Sequence, residues 1–419
     1  MNSRTQSSLA SGLASAFHPA LLPAGAPPAA RAVFKLMAKL RHGQLDVQLP
    51  DGSTNRFGQL GGDADVRAAI GLRNWKVCAA ALKRGDIGFA ETYLDGDWST
   101  PDLAALLRLF IANRDEVESV VYGTWWGSLL HRARHMLNRN SRRGSKKNIH
   151  AHYDLGNDFY RLWLDSTMSY SSAWFEGDRS RPIEAAQQAK LRRALAEAGV
   201  REGARVLEIG CGWGSLAEIA ARDFGARVTG LTLSSEQLAY AQQRLEDAGL
   251  ADRAQLRFQD YRDIADAPFD AIVSIEMFEA VGREYWAGYF RTLHAKLKPG
   301  GRACIQSITI RDDLFERYLR STDFIQQYIF PGGCLPSASA FEAEAAKAGL
   351  VVERRFAFGA DYAETLRRWR ERFLAEEAGA RKLGFDARFM RIWEFYLAYC
   401  EAAFDTGNTD VVQFTLLRP

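Results

Sequence analysis

The stretch that decides the fold runs Val206-Leu207-Glu208-Ile209-Gly210-Cys211-Gly212-Trp213-Gly214-Ser215-Leu216. Its pattern predicts a buried β-strand that enters a glycine-rich turn and then a helix, as in several nucleotide-binding folds. The three glycines let the backbone approach a ligand closely, because they adopt dihedral angles that other residues avoid. No Lys-Ser or Lys-Thr pair follows the turn, which argues against a phosphate-binding loop. The acidic Glu208 before the first glycine instead favours a ligand with a positively charged group.

Strand and helix signals alternate along the chain on both sides of this loop. Alternating strands and helices build a parallel sheet with helices on both faces, so we predict an α/β, Rossmann-like fold for residues 151–419. Two connections, 311–345 and 360–408, are too long for simple crossovers. We expect these two insertions to build the substrate site beside the strand ends. The candidate strands are 205–210, 227–233, 255–260, 270–277, 302–310, 351–358 and 411–417.

The residues before this domain divide into three parts. Residues 1–30 are rich in Ser, Ala and Pro, which predicts a disordered tail. Residues 31–138 predict a smaller, mainly helical accessory domain that associates with lipid. Within it we expect a strand pair around 43–57 and a helix after Asp102. We predict that residues 139–150 form a basic linker.

A basic stretch, 132–147, lies within a longer segment, 119–153, that contains no Asp or Glu. Such a run suits the anionic surface of a membrane, while the alternative interpretation is a solvated linker. No other feature supports nucleic-acid binding, so we expect none. The cations of the stretch are Arg132, Arg134, Arg139, Arg142, Arg143, Lys146 and Lys147.

Composition places the chain in the general class of globular proteins. It has 419 residues, a net charge of +3, and 47% apolar and 25% charged residues. Its five cysteines are scattered without a CxxC pair, and its histidines have no metal-ligand spacing, so we expect no metal. The cysteines favour a reducing compartment, and no apolar run reaches the roughly 18 residues that span a bilayer. We therefore expect a cytoplasmic protein, peripheral to the inner face of the membrane; a homodimer is also considered.

Polar residues follow two further predicted strands. Thr232 and Gln237 come at the end of the second strand, where a dinucleotide dehydrogenase would usually place an acid to bind ribose. Gln259 and Asp260 come at the end of the third strand, where an acid can meet an adenine amine. The alternative for Asp260 is a turn cap. Together these segments favour a methyltransferase that uses S-adenosylmethionine (SAM) over a dehydrogenase.

Several motifs around the glycine loop resemble those of one family. The sequence is similar to the cyclopropane-fatty-acyl-phospholipid synthases and the related mycolic acid methyltransferases over roughly residues 150–419. The segment Tyr93–Trp98 also resembles the N-terminal domain of this family. The motifs that carry the resemblance are 152–158, 168–171, 230–234, 259–263, 277–282, 328–336, 358–362, Trp369 and 371–373.

The resemblance implies a class I SAM-dependent methyltransferase domain with seven strands, the last of them antiparallel. It implies that an unsaturated phospholipid acyl chain is drawn from the bilayer and receives a methyl or methylene carbon at its double bond. In the family, a bound bicarbonate then removes a proton and a cyclopropane ring closes. With Glu208 from the glycine loop, the expected cofactor-binding residues are Tyr153, Tyr170, Ser171, Glu208, Gly210, Gly212, Thr232, Gln237, Gln259 and Asp260.

The expected catalytic residues depart from the family at two positions. Glu279, Tyr362 and the carbonyl of Ile308 match the bicarbonate site that the resemblance implies. Ser172 stands in place of a Cys and Gln306 in place of a His. Both can still hydrogen-bond an anion, but a neutral Gln cannot carry the charge of a protonated His.

This departure leaves the product open among a cyclopropane, a methyl-branched chain and a methylene chain. Glu276 lies three residues before Glu279. Two carboxyl groups so close invite a general-base interpretation, for which we favour Glu279 and leave Glu276 open. Two alternatives remain, namely methylation of a small soluble amine or phenol, and a binding protein that has lost catalysis.

Overall fold

The computed structural model describes residues 22–61, 66–121 and 155–419; of 118–121 it describes only the backbone. The first two ranges form an N-terminal region, and residues 155–419 form a large domain. The helices of the N-terminal region are α1 (Pro28–Met37), α2 (Lys76–Leu94), α3 (Leu103–Ala112) and α4 (Arg114–Val121). Its strands are β1 (Gly43–Gln48), β2 (Thr54–Gln59), β3 (Arg67–Leu72) and β4 (Trp98–Ser99).

The four strands of the N-terminal region form one sheet in the order β2-β1-β3-β4. The expected strand pair is present as the antiparallel hairpin of β1 and β2. The expected helix is α3, and the side chain of Asp102 accepts the Ala105 N–H at its start. Strands β3 and β4 were not expected, because neither has the alternating apolar pattern of a half-exposed strand.

The prediction of a disordered tail over 1–30 is wrong at its C-terminal end. Helix α1 begins at Pro28, and proline suits the first turn of a helix because its φ angle is preset. Leu22 and Ala26 are already buried before the helix, and Ala30 and Phe34 continue the apolar face. The stabilisation gained by burying this apolar face is sufficient to order residues whose composition predicts disorder. Residues 1–21 lie outside the described residues.

The large domain confirms the predicted α/β fold and its seven strands. The sheet order is β10-β11-β9-β8-β5-β6-β7, and β11 pairs antiparallel with both neighbours. The strands are β5 (Arg205–Ile209), β6 (Arg227–Thr232), β7 (Ala254–Phe258), β8 (Phe269–Ile275), β9 (Leu297–Ile310), β10 (Val351–Ala357) and β11 (Thr409–Leu417). The helices are α5 (Asn157–Trp163), α6 (Ile183–Glu197), α7 (Ser215–Asp223), α8 (Ser235–Asp247), α9 (Trp286–Lys296), α10 (Asp312–Tyr318), α11 (Phe324–Tyr328), α12 (Ala338–Lys347), α13 (Gly359–Ala375), α14 (Glu377–Lys382) and α15 (Ala387–Asp405).

The glycine loop connects β5 to α7 at the carboxyl edge of the sheet. The N–H groups of Gly210 and Cys211 both donate to the carbonyl of Leu231, which ties the loop to β6. Gly214 has a φ of +87°, and a Cβ there would lie 2.9 Å from the Cβ of Ala241. Only glycine therefore lets α7 start this close to α8.

The N-terminal region packs against the C-terminal helices of the large domain. The Tyr93 hydroxyl donates to Glu394 at 2.7 Å, and Arg108 pairs with Glu401 and Asp405 of α15. Apolar side chains from both parts share one core. The two predicted insertions, 311–345 and 360–408, are largely helical, and the second supplies α15 to this interface.

Two segments that the sequence analysis predicted lie outside the described residues, namely the basic stretch 132–147 and the linker 139–150. Where the structure describes the chain, no helix has both the length and the apolar character that a bilayer crossing requires.

Candidate active site

A cavity opens at the carboxyl edge of the sheet, between the glycine loop and the ends of β6 and β8. Residues from the motif 168–171 close it on one side. Of the ten side chains or glycines expected to bind the cofactor, Tyr153 lies outside the described residues. The others all line this cavity: Tyr170, Ser171, Glu208, Gly210, Gly212, Thr232, Gln237, Gln259 and Asp260.

Glu208 contributes the only carboxyl group of the glycine loop. Its side chain is 3% exposed, and its Oε2 atom has no hydrogen-bond partner among the described residues. Burial raises the pKa of Glu208 to about 8, because an ionised carboxyl loses its hydration there. A buried carboxyl group without a partner fits a ligand that brings a charged N–H group, as SAM does with its amino group, and such a cation would favour the ionised form of Glu208.

The polar residues at the ends of β6 and β7 are partly engaged with one another. The Thr232 Oγ1 and Gln237 Oε1 atoms lie 3.1 Å apart. The carboxyl group of Asp260 accepts hydrogen bonds from the Arg262 side chain and backbone. Asp260 also starts the short 3-10 helix that follows β7, so it both caps a turn and faces the cavity.

We expect the Glu208→Gln variant to bind SAM about tenfold to a hundredfold more weakly than the native protein. The amide keeps the shape of the side chain but removes the charge-assisted hydrogen bond, which contributes about 1.5–3 kcal/mol. Calorimetric titration with SAM measures the change. The exposed Glu202→Gln variant is the matched control. Equal affinity in all three proteins would mean that Glu208 only supports the loop.

A second carboxyl group, Glu276, organises the residues on the other side of the cavity. It follows β8 with a φ of 50° and lines the cavity. Its Oε1 accepts the Ser172 N–H at 2.9 Å and the Gln306 amide at 2.7 Å, and its Oε2 accepts the Tyr362 hydroxyl at 2.6 Å. Three of the expected catalytic residues therefore meet at Glu276, the carboxyl group that the sequence left open.

The orientation of Gln306 follows from its other neighbour. The Gln306 Oε1 accepts the Gln413 amide at 2.9 Å, so its NH₂ group is the one directed at Glu276. The Gln413 Oε1 in turn accepts Arg193 at 2.5 Å. Both glutamines are fully buried. This series of hydrogen bonds fixes a hydrogen-bond donor at the position where the family resemblance implies a histidine.

Lys190 is a fully buried cation beside this group. Its Nζ donates to the Ser171 hydroxyl, and its charge acts on both Glu276 and Asp165. Burial lowers the pKa of Lys190 to about 8, while the two acids oppose that change. Burial also raises the pKa of Glu276, and Lys190 with the three donors counteracts it. Lys190 and the donors therefore favour Glu276 as the ionised carboxyl group.

Glu279 has a different environment from Glu276. Its Oε1 accepts the N–H of Ile308, the residue whose carbonyl the resemblance placed in the bicarbonate site. Its buried Oε2 has no partner within the described ranges. Burial and the nearby charge of Glu276 raise the pKa of Glu279 to about 8. Near neutral pH, Glu279 is thus mostly protonated, whereas Lys190 and three hydrogen-bond donors favour the ionised form of Glu276.

Bicarbonate does not fit this arrangement well. The donors expected to bind it, at Ser172, Gln306 and Tyr362, all point to the Glu276 carboxyl group. The Ser172 hydroxyl donates to a neighbouring backbone carbonyl. A carboxylate of the chain therefore stands among the groups that were expected to hold an external anion.

Sequence reasoning missed Lys190 and Gln413. A signal for Lys190 was present, because it lies four residues from both Ala186 and Ala194 on the buried face of α6. A lysine on an apolar helix face is rare without a buried acid nearby. Gln413 carried no comparable signal, since it lies within a strand of ordinary apolar pattern.

The family model described as "Mycolic acid cyclopropane synthetase" matches residues 140–414. This chain belongs to the mycolic acid cyclopropane synthetase family. It is therefore a SAM-dependent methyltransferase, and SAM is its cofactor. The family resemblance expected from the motifs is confirmed.

Two relatives match both the catalytic domain and the N-terminal region. The "Tuberculostearic acid methyltransferase UfaA1" of Mycobacterium tuberculosis is 39% identical over 405 residues, which cover 94% of this chain and 93% of the relative. The "Cyclopropane-fatty-acyl-phospholipid synthase" of Escherichia coli (strain K12) is 35% identical over 356 residues, covering 85% and 88%.

A solved member of the cyclopropane synthases gives the corresponding structural match. The mycolic acid cyclopropane synthase CmaA1, crystallised with SAH and CTAB, aligns with a TM-score of 0.61 and 34% identity. The alignment covers 97% of that chain but only 65% of this one. The class I methyltransferase fold is thus confirmed, while about a third of this chain has no counterpart in that structure.

Proposed function

We propose that this enzyme transfers a carbon unit from SAM to the double bond of an unsaturated phospholipid acyl chain. In this proposal, Glu276 accepts the proton that the methylated chain must lose. The observation that carries the proposal is the partly buried Glu276 carboxyl group, which lines the cofactor cavity and is held by three hydrogen-bond donors. No such base is needed for methylation of an amine that releases its proton to water.

When bound, SAM supplies an electrophilic methyl group. Addition of that methyl group to an alkene leaves a positive charge on the neighbouring carbon, and the product forms when a methyl proton leaves. A carboxylate can accept this proton and balance the charge, provided that water is excluded from the cation. Glu276 is partly buried, the Tyr362 side chain that donates to it is buried, and the fully buried Trp369 packs edge-on against Tyr362.

The acceptor class rests on the named relatives and on the apolar surroundings of the site. One relative is named for a fatty acid methyltransferase activity and another for action on phospholipid acyl chains. Tyr170 and Tyr396 join across the site at 2.7 Å between hydroxyl oxygens, and Tyr362 packs on Phe404 with ring centroids 4.4 Å apart. The rings of Tyr170 and Tyr362 thus have apolar surroundings that suit a hydrocarbon chain.

Loss of the methyl proton can end in two products. Ring closure onto the cation gives a cyclopropane. A hydride shift to the cation before proton loss gives a methylene-branched chain instead. The methyl-branched chain would additionally need a reductant. The relative named for tuberculostearic acid, with 39% identity over nearly the whole chain, favours the branched series as the second candidate product.

The experiment is mass spectrometry of phospholipid fatty acids after purified protein is incubated with methyl-labelled SAM and monounsaturated phosphatidylglycerol vesicles. We expect acyl chains that carry one labelled carbon. Their fragmentation distinguishes a cyclopropane from a methylene branch. Label in an added soluble amine but none in lipid would contradict the proposal.

The cellular setting is part of the same proposal. We propose a cytoplasmic enzyme that works at the inner membrane surface, with the basic stretch 132–147 in contact with anionic lipid, and that forms a homodimer. Electrostatic attraction of about 1 kcal/mol per cation supports the role of that stretch.

A further inference from the structure

A second cavity, of about 240 Å³, lies between the N-terminal region and the large domain. None of its lining residues lines the cofactor cavity. Its walls are largely apolar and come from both parts of the protein. Representative wall residues are Phe34, Ile70, Leu107 and Phe110 from one side and Leu314 and Ala403 from the other.

Two hydroxyl groups in this cavity lack hydrogen-bond partners. The Oγ1 atoms of Thr322 and Thr409 are buried and have no partner among the described residues, and both residues line the cavity. An unpaired buried hydroxyl is costly, so a polar group supplied by a ligand would stabilise both. The cavity therefore combines an apolar volume with a small polar subsite.

The charged residues of the cavity favour an anion. Four cations line it: Lys83, Arg84, Arg114 and Arg317. Lys83 is exposed and the three arginines are partly exposed, so the positive charge lies where the cavity meets solvent. Arg84 also pairs with Glu91.

Two acids line the same cavity, but their oxygens are directed to protein donors. Asp86 accepts the N–H groups of Ile87 and Phe324 and the Tyr399 hydroxyl, which joins the two parts of the protein. Burial and the neighbouring Asp323 raise the pKa of Asp86 to about 7. Because of these donors and the raised pKa, the two acids repel a bound anion less than exposed, ionised carboxylates would.

The cavity adjoins the catalytic centre. Tyr399 and Ala403 of α15 line it, whereas Tyr396 of the same helix bonds to Tyr170 beside the cofactor cavity. In β9, the N–H of Ile308 binds Glu279, and Ile310 two residues further lines the second cavity. One helix and one strand therefore contact both the second cavity and residues of the catalytic centre.

We propose that this second cavity is a binding site for the acyl chain of an anionic lipid. The chain fills the apolar volume, a carboxyl or ester oxygen accepts the Thr322 and Thr409 hydroxyls, and the negative charge faces the four cations. The inference concerns binding alone and stands whether or not any bound chain is methylated. The alignment with the solved cyclopropane synthase CmaA1 covers only 65% of this chain.

The test uses stearic acid with a terminal diazirine, which has no double bond to be methylated. We expect it to bind the full-length protein without SAM and, after irradiation, to label peptides that contain Phe110 or Ala403. Stearyl alcohol should bind more weakly, and added salt should weaken only the acid. Absence of binding, or label confined to the cofactor cavity, would overturn the proposal.

Three variants sharpen this test. We expect Ala403→Phe, which fills the cavity, to weaken stearate binding about tenfold or more, and the exposed Ala387→Phe on the same helix to leave it unchanged. The double variant Thr322→Val, Thr409→Val should weaken it about fivefold without lowering the melting temperature of the free protein. Native affinity in both cavity variants would overturn the assignment.

The kinetics of the Ala403→Phe variant distinguish two possible occupants of the cavity, the acyl chain of the substrate and a separate lipid. A raised KM for phospholipid with unchanged kcat would identify the substrate's own chain as the occupant. Unchanged kinetics together with lost stearate binding would identify a separate lipid. Both results support an acyl site, and either can be obtained even if the methylated product differs from the one proposed.

Discussion

The Glu276→Gln variant is expected to lose about a thousandfold in turnover while it still binds SAM. The amide preserves the size of the side chain, but it cannot accept a proton from the methylated acyl chain. General-base groups contribute about a hundredfold to ten-thousandfold to rate, which sets this magnitude. The measurement is the initial rate of label transfer into lipid, with SAM affinity measured separately by calorimetry.

Two further observations make this prediction specific to a base. Native activity should not change in buffer depleted of carbon dioxide, because the carboxylate belongs to the chain. In Glu276→Ala, added bicarbonate or acetate should restore part of the rate by entering the vacated space. Near-native turnover in the Glu276→Gln protein would exclude Glu276 as the general base and make Glu279 the favoured candidate for that role.

Replacement of Lys190 by Met should destabilise the protein by about 3–5 kcal/mol. Lys190 is fully buried, and its charge acts on the buried Asp165 and the partly buried Glu276. Removal of one partner from a buried charge group leaves the other charges uncompensated, which is the origin of this magnitude. Urea unfolding measures the loss. Lys347→Met provides the control, because Lys347 pairs with Glu344 at the surface and should change stability by less than about 1 kcal/mol.

The same variant should also alter the pH dependence of turnover. The proposed base must be ionised, so activity rises as pH rises through the pKa of Glu276. Lys190 lowers that pKa, and its removal should therefore move the rising limb to higher pH. A profile that stays in place despite a large stability loss would mean that Lys190 supports packing alone.

The seven-stranded sheet and the cofactor loop could be predicted because their signals are local. The strand, the three glycines and the helix start lie within the eleven residues of 206–216. Backbone geometry there depends on residue type, since Gly214 meets Ala241 too closely for a side chain. The predicted residues at the ends of β6 and β7 line one cavity because the carboxyl ends of parallel strands meet at one edge.

The choice between Glu276 and Glu279 could not be made in the same way. The two residues are close in sequence, and each lies near the end of β8. Their neighbours come from distant segments, with Ser172 before the glycine loop, Gln306 in β9 and Tyr362 in α13. The family resemblance assigned these positions to an external anion, whereas in the structure all three donate to Glu276.

From the sequence alone, the fold class, the cofactor and the approximate membership of the site follow, because each depends on contiguous motifs whose backbone or hydrogen-bonding chemistry is local. Only the tertiary structure decided which of the two carboxyl groups receives three hydrogen-bond donors and where a second cavity forms. Burial raises the pKa of Glu276 and Glu279, and the neighbours that oppose this change lie on other elements, up to 104 positions away in the chain. The second cavity exists because the N-terminal region packs on α15, and long-range packing of this kind leaves no periodic mark in a sequence.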